Sequence, residues 1–195
     1  PNESQLKAWC RRKIHMFLVK NCSHMIVVSN GIKDELLIGS PHLSEKIHVI
    51  YNPCFSIKDF EDALSARFDI RSRLEMRQGH IVIAAAGRLH YQKGFEFLIT
   101  AVSLLPPEKR NTTLMKIYGD GELKGQLISL AEKHGVRNLE FPGFSKNLYD
   151  DLRKSDIFVL SSRYEGFGNV LAEALGAGCY CLAFDVPHGP AEILE

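Results

Sequence analysis

The loop from Gly87 to Gly94 places two cationic side chains between two glycines. Its sequence is GRLHYQKG, so Arg88 and Lys93 follow an apolar run and precede an amphipathic one. A guanidinium offers phosphate oxygens a planar fork of donors, and an ammonium offers a mobile point charge. We expect the start of the following helix to add about half a positive charge. The loop therefore predicts a diphosphate site, and the alternative is that Arg88 and Lys93 are ordinary surface cations.

A second stretch, Ser161–Gly178, combines glycines with two carboxylates. Gly166 and Gly168 let the backbone approach a ligand closely, and the first amides of the helix that follows have no partner within that helix. Glu165 precedes this turn and Glu173 follows it, so both can face one crevice, where carboxylates suit the hydroxyl groups of a sugar diol. For Glu173 alone, a solvent-facing glutamate is the alternative. The amides predicted to cradle an anion are those of Phe167, Gly168, Asn169 and Val170.

Both loops belong to a regular alternation of apolar runs and amphipathic segments that begins at His80. This alternation predicts βαβ units, and hence an α/β fold with a Rossmann-like, doubly wound parallel sheet. Ligands bind such sheets beyond the carboxyl ends of the strands, which is where the two loops lie. The predicted strands are Ile81–Ala86, Leu114–Tyr118, Leu139–Phe141, Ile157–Leu160 and Tyr180–Phe184. The predicted helices are Phe95–Leu104, Leu123–His134, Leu148–Arg153, Val170–Ala177 and one from Pro190 onward.

The first 79 residues follow a different pattern, which predicts a smaller unit of residues 1–53 and a polar connection of residues 54–79. The connection has no strand pattern, so a helix is its only predicted element. In the smaller unit, Ser29 and Asn30 are the candidate N-cap residues of the second helix. The predicted elements are a helix at Gln5–Asn21, a strand at Met25–Val28, a helix through Leu37, a strand at Lys46–Tyr51 and a helix at Lys58–Phe68.

Length, charge and cysteine content exclude several classes of protein. The 195 residues suffice for one α/β domain and a piece of a second. A net charge of +1 creates no field that would attract nucleic acid or an anionic membrane. Five cysteines without CxxC spacing argue against a disulfide scaffold or a zinc site and favour a reducing cytoplasm. No apolar run approaches the ~20 residues of a membrane span, and no signal peptide is recognisable. The first residue is not methionine and the last lies in a helical pattern, so we expect that both ends are cut.

Four motifs, in this order, resemble the retaining glycosyltransferases of family 4, glycosyl transferases group 1, which have the GT-B fold. The resemblance covers approximately residues 24–195. It implies that residues 80–195 are the nucleotide-sugar-binding domain, incomplete at its C-terminus. Residues 54–79 would be the interdomain linker, and residues 1–53 the last part of the N-terminal, acceptor-binding domain. The motifs are the Gly87–Gly94 loop, the Gly119–Glu122 turn, the Phe141–Phe144 corner and the pair Glu165 and Glu173, with seven residues between them.

The resemblance also implies roles for individual residues. Arg88 and Lys93 match the pair that binds the donor diphosphate. Glu165 matches the carboxylate that contacts the hydroxyls of the donor sugar. These three would be the catalytic residues. Glu173 matches the carboxylate that binds the ribose. No Asp-x-Asp metal motif is present, so no metal or other cofactor is expected. The remaining residues implied in nucleotide-sugar binding are Gly87, Phe144 beside the nucleobase, and the cradle residues Phe167, Gly168, Asn169 and Val170.

The implied reaction transfers a hexose or N-acetylhexosamine from a nucleotide-sugar to a glycan or lipid-linked saccharide, with retention, in polysaccharide or lipopolysaccharide biosynthesis. A UDP-linked donor is expected, with GDP-mannose left open. The partners are then the nucleotide-sugar and the saccharide acceptor, without nucleic acid. We expect a cytoplasmic location at the inner face of the membrane, with any peripheral association made by the N-terminal domain, and no activity from this fragment alone.

Two other functions stay open. A nucleotide-binding module without catalysis would keep the same cavity. An NAD-dependent oxidoreductase or epimerase would use Gly119, Gly121 and Gly125 as a dinucleotide fingerprint with Glu140 beyond it, although the glycine spacing is one residue too long.

Several weaker signals have structural alternatives. His188 lies in a loop that can face a ligand, but a lone histidine is commonly structural. Cys179 and Cys181 lie on an apolar strand and fit a core better than a redox centre. The basic face of the first helix could contact lipid, or could be a solvated surface or a face covered by the N-terminal domain. The basic residues of that face are Lys7, Arg11, Arg12 and Lys13.

Overall fold

The structure is a computed structural model that describes residues 13–14, 17–38, 40–57, 61 and 80–195. Residues 13–14 and 17–21 are helical, whereas the rest of the helix predicted at Gln5–Asn21 and almost all of the one predicted at Lys58–Phe68 lie outside the described residues.

The first unit contains a two-stranded parallel sheet. Its strands β1 (Met25–Val27) and β2 (Ile47–Val49) flank helix α1 (Asn30–Leu37) and a 3₁₀ turn at Pro41–Lys46. Ser29 is the N-cap of α1, because its hydroxyl accepts a hydrogen bond from the amide of Ile32 at 3.2 Å. A small core holds these elements together, and its buried members are Val19, Val27, Leu43 and Ile47.

The second unit is built on five parallel strands in the order β5-β4-β3-β6-β7. The prediction of an α/β fold with a doubly wound parallel sheet is confirmed. The strands are β3 (Ile81–Ala86), β4 (Thr113–Tyr118), β5 (Leu139–Gly143), β6 (Ile157–Leu160) and β7 (Tyr180–Ala183). The helices are α2 (Phe95–Ser103), α3 (Pro107–Asn111), α4 (Lys124–Lys133), α5 (Leu148–Leu152), α6 (Asn169–Gly176) and α7 (Pro190–Leu194).

The central strand β3 is apolar on both faces because both faces are covered. Ile83 and Ala85 pack into the core formed with α2 and α4, whereas Ala84 and Ala86 pack into the core formed with α5 and α6. Strands buried on two sides lose the alternation of apolar and polar residues. This is why β3 is a continuous apolar run in the sequence, and why the loop after it begins in the middle of the sheet.

Most of the predicted helices and strands begin or end within one or two residues of their predicted bounds, as expected where helices and strands fray. Helix α3 was not predicted. It has five residues, too few to show an apolar period, and its one signal was Pro107 at the first helical position. A 3₁₀ turn at Tyr91–Lys93, also not predicted, carries one of the two candidate phosphate-binding cations.

Helix α7 contacts the first unit through Glu192. The carboxylate accepts hydrogen bonds from the backbone amides of Asn30 at 2.8 Å and Gly31 at 3.0 Å, and from the hydroxyl of Tyr51 at 3.1 Å. Partial burial opposes ionisation, but these donors prevail and hold the pKa of Glu192 below its ordinary value. Glu192 therefore supplies a negative charge to the N-terminus of α1, where the helix dipole favours one.

We expect Glu192→Ala to lower the free energy of unfolding by about 1–2 kcal/mol at pH 7, since two helix amides lose a charged acceptor. A carboxylate whose pKa is lower in the folded state stabilises the protein at pH values above its pKa in the unfolded state. This contribution to the free energy of unfolding disappears as the pH falls through the pKa of the folded state. Urea denaturation of both proteins should therefore show their stabilities converging in acid. The exposed side chain of Glu132 makes no hydrogen bond or ion pair with described residues, so Glu132→Ala is the control. A difference independent of pH would contradict the capping role.

Candidate functional site

A cavity of about 740 Å³ opens at the carboxyl ends of β3, β4 and β6, within the size range of ligand pockets. The sheet reverses its strand order between β3 and β6, so this is the position where doubly wound folds bind ligands. All of the predicted site residues line the cavity, although their roles stay predictions. They are Gly87, Arg88, Lys93, Phe144, Glu165, Phe167, Gly168, Asn169, Val170 and Glu173.

Lys93 and Glu165 form an ion pair at the wall of this cavity. The distance from the lysine Nζ to the glutamate Oε1 is 2.6 Å, and the Ser162 hydroxyl donates to the same oxygen at 2.6 Å. The side chains are 17% and 8% exposed. Gly87 makes room for the lysine, because a Cβ at that position would lie 2.8 Å from the lysine Cε. The cation predicted for phosphate and the carboxylate predicted for sugar hydroxyls are thus in direct contact.

The loops after β3 and β6 are held together by their backbones. Gly94 has a positive φ of 59°, and a Cβ there would lie 2.3 Å from the carbonyl oxygen of Ser161. The Ser161 hydroxyl donates to the carbonyl of Lys93 at 3.0 Å, and the amide of Arg163 donates to the carbonyl of Gln92 at 2.8 Å. These contacts set where Lys93 and Glu165 lie relative to each other.

Arg88 is the exposed cation of the cavity. Its guanidinium makes no hydrogen bond or ion pair with any described residue, while the side chain lines the cavity. Because Lys93 is already paired, Arg88 is the group whose charge an incoming anion would meet first.

Helix α6 directs its N-terminus into the cavity. Gly168, with a positive φ of 94°, is its N-cap, and the amides of Asn169 and Val170 have no acceptor among the described residues. Such amides can donate to an anion. The similar expectation for the helix after Lys93 stays a prediction. Lys93 lines the cavity and directly precedes the N-cap Gly94, but no residue of α2 is among the described residues that line the cavity. Gly94, the N-cap of α2, lies against the carbonyl of Ser161, whereas Leu148, the first residue of α5, does line the cavity.

Glu173 lies one turn into α6 and lines the cavity. Burial raises the pKa of its carboxyl, and the group makes no hydrogen bond or ion pair with the part of the chain that the structure describes. A partly buried carboxyl without a partner is costly unless a ligand supplies donors. The half-buried position of Glu173 in the cavity therefore favours the ligand-binding hypothesis over the solvent-facing alternative.

The part that the first unit plays in the site was not predicted from the sequence. Val28 and Asn52 line the cavity, and the Asn52 amide nitrogen donates to the side-chain oxygen of Asn169 at 2.8 Å. The ring of Tyr51 stacks on Phe167 with centroids 5.4 Å apart. Asn52 directly follows the apolar run of β2, so the rule for carboxyl ends of parallel strands, applied to the small sheet as well, could have found it.

The residues of the dinucleotide fingerprint have other roles. Gly119 and Gly121 pack against the β3 loop, where added Cβ atoms would lie 2.0 Å and 2.5 Å from the carbonyl oxygens of Gly87 and Leu89. The candidate acidic residue, Glu140, forms an ion pair with Lys116 at 3.2 Å. These glycines bring two loops together, and Glu140 is already paired on the surface of the sheet.

The weaker signals are also explained by structural contacts. The His188 Nε2 lies 2.8 Å from a carboxylate oxygen of Glu35 in the first unit. Cys179 is buried and its thiol donates to the carbonyl of Leu152 at 3.2 Å. Burial raises the pKa of the Cys181 thiol to about 12, so Cys181 is not an activated thiolate. Of the basic face of the first helix, Lys13 alone is described, and it is exposed. No group of three or more candidate metal ligands occurs among the described residues.

Comparison with known proteins identifies the family. The family model for glycosyl transferases group 1 matches residues 66–195. The amylovoran biosynthesis glycosyltransferase AmsD of Erwinia amylovora is 31% identical over 185 residues, which are 94% of this chain and 49% of AmsD. The chain belongs to the glycosyl transferases group 1 family. The lipopolysaccharide core biosynthesis glycosyltransferase LpsD of Rhizobium meliloti is 37% identical over 123 residues, 63% of this chain and 34% of LpsD.

Solved structures place this group 1 chain among GT-B glycosyltransferases in fold. A mutant of S. aureus TarM, crystallised with Fondaparinux, alpha-GlcNAc-glycerol and UDP, superposes with a TM-score of 0.73 and 22% identity. The superposition covers 91% of this chain and 33% of TarM. The group 1 chain thus spans half or less of each of these three proteins. Within its described residues, no helix has the length and apolar character needed to cross a membrane.

The Lys93–Glu165 pair leads to a prediction that is independent of any ligand. We expect Lys93→Ala to lower the free energy of unfolding by about 3 kcal/mol, because it leaves a carboxylate unpaired in a position that is 8% exposed. The double variant Lys93→Met with Glu165→Gln should recover much of this loss, since it removes both charges. Urea denaturation of wild type, Lys93→Met, Glu165→Gln and the double variant gives the coupling energy. Simple addition of the two single effects would show that the pair is not coupled.

Proposed function

We propose that this chain is the donor-binding part of a retaining glycosyltransferase of family 4, and that its cavity binds a UDP-linked sugar. The full-length enzyme would transfer a hexose or N-acetylhexosamine to a hydroxyl of a glycan or lipid-linked saccharide. One observation carries the proposal: the guanidinium of Arg88 and the carboxyl of Glu173, which have no partner among the described residues, line one cavity together with the first residues of α6.

The charges of the cavity fit a diphosphate with hydroxyl groups on both sides. Arg88 and the amides of Asn169 and Val170 can donate to phosphate oxygens. Glu173 can accept hydrogen bonds from a ribose diol, and Glu165 from hydroxyls of the transferred sugar. Phosphate and hydroxyl groups in one ligand account for the presence of both cations and carboxylates, which a site for a simple anion would not contain.

Lys93 connects the two halves of the proposed site. In the absence of ligand its ammonium is neutralised by Glu165. An ammonium has three donors, so Lys93 can keep this carboxylate and also donate to a phosphate oxygen. As the glycosidic bond breaks, negative charge grows on the departing diphosphate, and donors already in position stabilise it without rearrangement. Glu165 would meanwhile hold the sugar, so one ion pair serves the leaving group and the transferred group.

The names of the relatives support the proposed pathway class and donor. AmsD and LpsD are named for amylovoran and lipopolysaccharide core biosynthesis, and TarM was crystallised with UDP. The family 4 motif supports retention. We propose that Arg88, Lys93 and α6 supply the positive charge that a metal ion supplies in other sites, so no cofactor is required. We further propose that the reaction takes place in the cytoplasm, at the inner membrane face when the acceptor is lipid-linked.

Calorimetric titration with UDP-glucose, GDP-mannose, ADP-glucose and NAD tests the donor assignment. We expect UDP-glucose to bind, and Arg88→Ala to weaken binding about 10- to 100-fold, as charged hydrogen bonds contribute about 1.5–3 kcal/mol. Arg88 is exposed and has no described partner, so the variant should keep wild-type stability. In the full-length enzyme the same change should reduce turnover about 10²-fold.

Other outcomes would redirect the assignment. Binding of NAD without a response to UDP-glucose would support the oxidoreductase alternative. Binding of UDP-glucose without transfer by the full-length protein would support a nucleotide-binding module. Tight binding of GDP-mannose alone would keep the reaction class and change the donor.

The proposed role of Glu173 predicts how affinity depends on pH. Burial raises the pKa of this carboxyl in the free protein, and ribose hydroxyls that donate to the carboxylate would lower it in the complex. Ligand binding then favours the ionised form, so affinity should rise with pH up to the pKa of the free protein and be constant above it. UDP-glucose is the suitable ligand, because a diphosphate esterified at both ends does not titrate in this range. Glu173→Gln should bind more weakly at neutral pH and show no such rise; a parallel rise would exclude this role.

A further inference from the structure

Arg163 lies behind the cavity wall and contacts the loop that carries Lys93. Its guanidinium donates to the carbonyl of Tyr91 at 2.6 Å and forms an ion pair with Glu96. The same group lies over the ring of Tyr91, 3.9 Å from the centroid, and over the ring of Phe97, at 4.5 Å. With the side chain 22% exposed, these contacts fix a planar cation from its edge and its face.

We infer that Arg163 is a positioning residue that holds the Lys93 and Glu165 loops in register for the donor. The inference rests on the proposed function and assigns Arg163 no contact with the donor, since it is not among the residues that line the cavity.

The path of the chain shows how this residue acts on both loops. Tyr91 and Lys93 are the first and last residues of one 3₁₀ turn, so a hydrogen bond to the Tyr91 carbonyl fixes the turn that carries the lysine. Arg163 itself is two residues before Glu165. A second contact joins the middle residues of the two segments, because the side chain of Gln92 donates to the carbonyl of Tyr164 at 2.9 Å. The guanidinium therefore ties the two backbones together directly beside the Lys93–Glu165 pair.

The geometry of that pair depends on this connection. Lys93 and Glu165 come from loops 72 residues apart, and their 2.6 Å contact tolerates little relative movement. Errors of about 1 Å in the position of a catalytic group can cost 10²-fold in rate. An ordinary surface ion pair contributes little to stability and nothing specific to ligand binding. A positioning role therefore predicts a loss confined to ligands that reach both loops.

UDP-glucose and UMP distinguish these two roles. UMP lacks the glucose, which is the group assigned to Glu165, and the second phosphate, to which the glucose is bonded. Lys93 contacts Glu165, so this second phosphate is the one that Lys93 would bind. We expect Arg163→Ala to weaken UDP-glucose binding about 10-fold and to leave UMP binding within about twofold of wild type. Arg163→Lys should recover part of the loss, because an ammonium can pair with Glu96 but lacks the planar fork. Titrations are done well below the melting temperature of each variant.

Two further variants keep the test decisive. Arg137→Ala is the matched control, because Arg137 is exposed in the connection between α4 and β5, away from the site, and should bind both ligands as wild type does. Glu96→Gln removes the ion pair and leaves the contacts of the guanidinium with Tyr91 and Phe97. It should weaken UDP-glucose binding about threefold. If Arg163→Ala does not fold, the affinities of Glu96→Gln and Arg163→Lys for UDP-glucose and UMP are compared instead.

The outcomes separate this inference from the proposed function. Failure of the wild-type chain to bind UDP-glucose would overturn the proposed function. If the wild type binds and the Arg163 and Glu96 variants bind UDP-glucose equally well, the positioning role is overturned. Equal weakening for UDP-glucose and UMP would also overturn it, because it would show a general structural effect.

Discussion

The candidate site depends on the close contact between the loops after β3 and β6. Strand order reverses between these two strands, so their loops leave the sheet side by side and their helices lie on opposite faces. Gly94 is what allows the loops to touch, since its φ is positive and a side chain would collide with the carbonyl of Ser161. Without that approach, Lys93 and Glu165 would belong to separate walls of the crevice and neither charge would have a partner.

That contact also determines the charge balance of the unliganded cavity. Glu165 is almost completely buried and would be costly as an isolated anion, so Lys93 and Ser162 stabilise it. Arg88 and Glu173, in contrast, have no described partners, and burial makes Glu173 harder to ionise. The paired groups give the site a fixed frame, whereas the unpaired ones are available to a ligand. A ligand that carries both phosphates and hydroxyls satisfies both kinds of group in one binding event.

Local patterns were sufficient to predict the sheet and the residues at its carboxyl edge. Apolar runs marked β3 to β7, and the glycine-bounded loops identified Arg88, Lys93, Glu165 and Glu173, which do line one cavity. The pairing of Lys93 with Glu165 could not be predicted in this way, because it depends on how two loops 72 residues apart pack against each other.

The contacts of the first unit add a constraint that no local pattern contains. Tyr51 stacks on Phe167 and Asn52 hydrogen-bonds to Asn169, so residues just after β2 touch both sides of the N-cap of α6. Glu192 binds the N-terminus of α1 and the hydroxyl of Tyr51 at once. A rotation of the first unit relative to the sheet would have to break these contacts or move the α6 amides with it. The position of the first unit and the geometry of the anion cradle are therefore coupled through three side chains, none of which has to touch the ligand for the coupling to operate.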